Sequence, residues 1–330
     1  MMEPLFPWQQ KQWQQLWRVK QENSLAHALL FVGIPGVGKA AFADNFSRVL
    51  LCQSITSNAV ASYPCYTCHS CRLIEGKTHP NVLWVEPEKK GQAIKVDQIR
   101  DVSDFINQSA LQGDYRIVII HPANAMNASA ANALLKTLEE PPVGALLILI
   151  SDQKQGLPAT ILSRCQRIVF PPPKQEEARV WLKQHITDST LDIELLLKLA
   201  HGAPLAAMQL MQEDLLSQRQ TLLQALYGLR QQQANPVTVA AKLQEMDAVK
   251  VIDFVLSWVM DLLRLQVNAD KNSIINKDYE PQLAALAQQI PIKSNNQLMI
   301  YLQQLRGQIS NGINLNKQLM IENILIKWMG

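Results

Sequence analysis

Two groups of residues have the types and spacing to do chemistry. The first is Gly33-Ile34-Pro35-Gly36-Val37-Gly38-Lys39, a G-x-x-x-x-G-K run that follows a strand pattern and opens a helix pattern. In that setting the backbone N–H groups around Gly33, Gly36 and Gly38 cradle phosphate oxygens, and Lys39 reaches the outer phosphates. The residue after Lys39 is Ala40, where the pattern calls for a Ser or Thr hydroxyl on Mg²⁺. The apolar run Ile117 to Ile120 meets His121-Pro122 instead of acidic residues, so no carboxylate is expected at that strand tip to hold a metal or polarise water. His121 itself reads as a loop residue at a strand end. Phosphoryl transfer rests on positioning and charge neutralisation. The expectation is therefore a pocket that can hold ATP or ADP without hydrolysing it.

The second group is cysteine. Cys52, at the end of a helix pattern, precedes Cys65, Cys68 and Cys71 in a C-x₂-C-x₂-C run. Four thiolates at this spacing suit one tetrahedral Zn²⁺ with a closed, structural coordination sphere. An iron–sulfur cluster is the chemical alternative. Zinc is preferred because the cysteines lie in an insertion with no redox partner site in view. His69, inside the run, reads as a solvated loop residue.

These groups need a scaffold. Strand patterns at Ala28–Val32, Val82–Val85, Ile117–Ile120 and Leu146–Ile150 are continuously apolar and alternate with helix patterns, which predicts a parallel sheet covered on both faces. Pro171-Pro172-Pro173 ends this alternation, since consecutive prolines fit neither a helix interior nor a central strand. Helix patterns fill the rest, including a single one over Pro204–Leu216 and a buried amphipathic one over Val249–Val267. The predicted division is 1–170 for an α/β nucleotide-binding-like domain with the cysteine insertion at about 52–75, 171–210 for a small helical lid, and 211–330 for an all-helical domain.

The chain of 330 residues is 48% hydrophobic, with a net charge of +3. That excess is too small to diagnose nucleic-acid binding. The N-terminal residues show no basic region followed by an apolar run, so a cytoplasmic protein without a signal peptide is expected. Charged residues make up 18%, against about 25% in an average globular chain. That deficit fits either an ordinary soluble protein or a subunit whose surface is partly covered by partners.

Several strings make the sequence resemble the AAA+ clamp-loader family of bacterial DNA polymerase III. They are Leu25–Phe31 before the phosphate loop, His79-Pro80-Asn81, Glu86-Pro87-Glu88, Ile94–Arg100, Asn132–Pro142 (NALLKTLEEPP), Ser163-Arg164-Cys165, and Asn316 through Glu322 to Trp328. The resemblance implies a Rossmann-like P-loop core, a helical lid, and a helical collar in which Ile313–Trp328 joins neighbours. It implies motor (gamma/tau) and delta subunits as partners, with a sliding clamp and primed DNA reached through the complex. It gives Arg164 the role of an arginine finger reaching a neighbour's ATP, and Cys165 that of a small buried residue. Leu205 stands where motor relatives carry a nucleotide-sensing Arg. The resemblance thus implies a non-hydrolysing stator. An active ATPase of the gamma/tau type is the alternative, and a zinc protein binding DNA alone is disfavoured by the modest charge.

Overall fold

The computed structural model describes residues 5–57, 62–89, 91–108, 114–152, 156–186, 191–212, 215–270, 273–310 and 315–329. The chain divides into two compact units, Met1–Glu177 and Ala178–Gly330.

The first unit is built on a five-stranded parallel sheet: β1 (Ala28–Val32), β4 (Val82–Val85), β5 (Arg116–Ile120), β6 (Ala145–Ser151) and β7 (Gln166–Val169), in the order β4-β5-β6-β1-β7. Every residue of β1, β5 and β6 is buried, which is why these segments lack polar alternation. The helices of this unit are α1 (Gln10–Gln21), α2 (Lys39–Leu51), α3 (His69–Glu75), α4 (Val96–Asn107), α5 (Ala128–Glu139) and α6 (Ala159–Leu162). One core sits between the sheet and α4 and α5, with Ile99, Val102, Leu134 and Leu138 facing Val118, Ile120, Leu147 and Leu149. Asn127 starts α5 by accepting from the Ala130 N–H, which satisfies a donor that has no partner inside the helix. A short antiparallel pair, β2 (Thr56–Ser57) and β3 (Ser62–Tyr63), lies in the cysteine insertion. The fold is thus an α/β P-loop architecture with a cysteine insertion, joined to a second unit that is helical throughout its described residues.

The second unit contains α8 (Ile193–Leu199), α9 (Pro204–Gln212), α10 (Leu215–Arg230), α11 (Pro236–Leu243), α12 (Ala248–Gln266), α13 (Glu280–Gln289), α14 (Ile292–Ser310) and α15 (Lys317–Met329). Ahead of them, α7 (Gln175–His185) carries the division between the units in its first turn. The pattern over Pro204–Leu216 resolves into α9 and α10, with 213–214 outside the described residues. Ile313, at the start of the expected collar helix, also lies outside them. The buried face of α12 packs against α13 and α14, and α15 packs against α10, α11 and α14. Trp328 anchors α15 by donating its indole N–H to the Leu226 carbonyl at 3.1 Å.

The Val249–Val267 pattern forms α12, but Asp261 is not on a solvated face. It is fully buried and accepts from the Ile275 and Asn276 N–H groups, the Asn276 amide and Arg264. Beside it, buried Arg219 donates to both Asp278 carboxylate oxygens and to the Asn276 side-chain oxygen, over the Tyr279 ring. Such buried charges persist only when paired and hydrogen-bonded. Among the described residues, no helix is long and apolar enough to cross a membrane.

Candidate functional site

In a parallel sheet the carboxyl ends of the strands are where ligands gather. The phosphate loop leaves β1 there. Gly36 and Gly38 have φ of 81° and 86°, a region where L side chains are strained. Gly33 is required by space, because a Cβ on it would sit 2.2 Å from the Phe170 carbonyl oxygen. The N-terminal segment braces the outer side of the loop. Trp8 donates its indole N–H to the Val37 carbonyl at 3.0 Å, and the Gln9 amide donates to the Val37 and Gly38 carbonyls.

Lys39 opens α2 and is 4% exposed. Its ammonium donates to the Gly33 and Ile34 carbonyls, both at 2.8 Å, and lies 2.7 Å from Asp152 Oδ1. Burial pushes the Lys39 pKa down, and Asp152 opposes that shift. The tip of β5 ends in His121, which brings no carboxylate. An acid does enter the pocket, from the residue after β6. The signal was present as Ser151-Asp152 at the end of an apolar run, but nothing local says that the chain turns the side chain toward Lys39. His121 is more enclosed than a free loop residue. Burial lowers its pKa, with Asp152 and Glu86 opposing and Lys39 adding to the shift.

Arg164 lies between α6 and β7. Its guanidinium donates to the Thr160 carbonyl at 2.9 Å and to Glu139 Oε1 at 2.5 Å, with 34% of the side chain exposed. Glu139 is the last residue of α5, inside the NALLKTLEEPP string. Cys165 packs against the sheet core, and burial pushes its thiol up to about 11.

The insertion gathers Cys52, Cys65, Cys68 and Cys71, whose Sγ atoms all lie within 4.8 Å of one another. Cys52 and Cys68 Sγ are 4.0 Å apart. Tetrahedral zinc–thiolate bonds of about 2.3 Å place sulfurs about 3.8 Å apart, so this donor set fits a zinc ion. Backbone N–H groups already point at three sulfurs: Cys65 N to Cys52, Cys68 N to Cys65, and Cys71 N to Cys68. Burial opposes ionisation of Cys65, yet N–H groups of Thr67 and Cys68 bring its thiol down to about 6. Burial pushes Cys71 up. His69 is exposed at the start of α3 and is not among the four converging ligands.

The module is fastened to the phosphate-loop helix. Arg48 of α2 is 1% exposed, pairs with Asp44 at 2.7 Å, and donates to the Cys71 carbonyl at 3.1 Å. The Tyr66 hydroxyl donates to Asn45 of α2, and Tyr63 stacks on Trp13 of α1.

Comparison with known proteins places this geometry. Family models described as DNA polymerase III, delta subunit, and its C-terminal part match residues 8–174 and 213–330. The DNA polymerase III subunit delta′ of Pseudomonas aeruginosa is 34% identical, over 99% of this chain and 98% of its own length. The chain belongs to the DNA polymerase III delta′ family. The delta′ subunit of Escherichia coli is 30% identical, over 98% of this chain and 94% of its own. A gamma subunit-related protein from Thermotoga maritima covers 96% of this chain and 98% of its own, at 21% identity and a TM-score of 0.40. Family membership spans both units, so the phosphate loop, the Arg164 loop and the cysteine module are parts of one delta′-type chain.

Proposed function

We propose that this chain is the non-hydrolysing stator of a DNA polymerase III clamp loader. In this reading it joins motor subunits of the gamma/tau type and a delta subunit, and the assembly places a sliding clamp on primed DNA. Residues 1–170 form the nucleotide-binding-like domain, 171–210 a lid, and 211–330 the collar that holds the ring. The zinc bound by the four cysteines is structural: four protein thiolates leave no open coordination position.

The observation that carries the reading is the contrast between the two nucleotide-facing features. The chain's own pocket has Ala40 and His121 where metal-handling groups belong. Arg164, in contrast, is held on a partly exposed loop by the Thr160 carbonyl and Glu139. A guanidinium so placed stabilises charge on a phosphoryl group transferred at an adjoining subunit. The intact Gly33–Lys39 run favours a second reading, an active gamma/tau-type ATPase. Reconstitution separates the two. DNA-dependent ATPase of motor and delta subunits, measured with and without this chain, rises on its addition while the isolated chain shows no turnover. Turnover by the isolated chain supports the second reading instead.

A further inference from the structure

An ammonium group has three N–H donors, and in Lys39 each has an acceptor: the Gly33 carbonyl, the Ile34 carbonyl and the Asp152 carboxylate. The two carbonyls belong to the loop itself. Among the described residues Asp152 is the one anionic partner, and its contact distance of 2.7 Å is that of a charge-assisted hydrogen bond. A nucleotide phosphate oxygen is also an anionic acceptor seeking this ammonium. The carboxylate and the phosphate therefore compete for one proton and one charge. Their close approach to each other would add like-charge repulsion in a poorly solvated site.

We propose that Asp152 is an internal phosphate surrogate: it occupies the Lys39 ammonium in place of a nucleoside di- or triphosphate and keeps the Gly33–Lys39 loop empty. This deepens the stator reading and rests on it for the identity of the pocket. Loss of the Mg²⁺ hydroxyl at Ala40 removes hydrolysis, whereas Asp152 acts one step earlier, on binding. The arrangement also preserves the loop without nucleotide. A buried lysine charge needs an anion, and Asp152 supplies it permanently, with the Trp8 and Gln9 contacts bracing the far side.

The test is equilibrium binding of a fluorescent ADP analogue and of ATP, with and without Mg²⁺, to the full-length chain and its Asp152→Asn and Asp152→Ala variants. Removing the competing carboxylate raises affinity by about tenfold or more, the worth of one charge-assisted hydrogen bond. The gain vanishes in Asp152→Asn/Lys39→Ala. Without nucleotide, the Asp152 variants melt lower than wild type, and saturating ADP raises their melting temperature more than that of wild type. Equal affinity in wild type and both folded variants overturns the inference. So does weaker, Mg²⁺-dependent binding in the variants, which would make Asp152 a metal ligand. So does a gain that survives loss of Lys39. ATP turnover is read in the same samples. Turnover by the wild-type chain refutes the non-hydrolysing reading, and turnover by a variant alone refutes the role given to Ala40, while either leaves the surrogate role to the binding result.

Discussion

At the scale of single residues, His79 shows how a buried titratable group reports on the fold. It is 3% exposed, accepts from the Asn81 N–H at Nδ1 and meets Ser70 Oγ at Nε2. Because Nδ1 accepts, Nε2 carries the proton and donates to Ser70. Burial first, and then His69, lowers its pKa from 6.5. The unfolded chain therefore takes up a proton near pH 6.5 while the folded ring resists, so stability falls as pH drops from 6.5 through the lowered value. Urea midpoints at descending pH check this: wild type loses stability in that window, and His79→Gln loses less. The cysteines give a second residue-scale prediction. Purified chain binds one zinc, and Cys65→Ser weakens retention against a chelator. Retention of the wild-type metal also weakens as pH falls, because protons compete with zinc for the thiolates. Metal analysis and chelator-release rates read both outcomes. Iron in place of zinc contradicts the assignment.

At the scale of elements, legibility followed the period and length of each segment. β1, β5 and β6 were readable because burial on both faces writes an unbroken apolar run. β7 was not, because it is four residues long with only Ile168 fully buried, and its inward and outward positions alternate. The β2–β3 pair is two residues per strand, below any periodic signal. The spacing of the cysteines announced their site, but the residues that fasten it to α2 carried no pattern. Arg48 looks like a surface charge on a helix; tertiary packing buries it between Asp44, Tyr66 and the Cys71 carbonyl. Arg48→Met removes one partner of a buried pair and leaves Asp44 uncompensated, which costs about 3–5 kcal/mol. Denaturant unfolding measures that loss. The same variant is expected to release zinc faster to a chelator, because the Cys71 carbonyl loses its donor. Unchanged release would mean that the cysteine module stands independently of α2.

At the scale of the molecule, the chain joins an α/β unit with a phosphate loop to an all-helical unit held by its own buried ionic node. The helical character of the second unit was legible from amphipathic periods. The node of Arg219, Asp261, Asn276 and Asp278 was not, because partners separated by tens of residues leave no local trace. The low charge content has a physical counterpart in exposed apolar residues such as Leu319 and Ile326 on α15, a face suited to the proposed collar. The central claim is that this chain serves a neighbour's active site and not its own. Steady-state ATPase of the reconstituted loader, with wild-type, Lys39→Ala or Arg164→Ala chain, tests it most directly. Lys39→Ala is expected to leave turnover unchanged, while Arg164→Ala, with assembly intact, lowers it by about 10³-fold at the site it serves. Full activity with Arg164→Ala, or a collapse with Lys39→Ala in an intact complex, contradicts it.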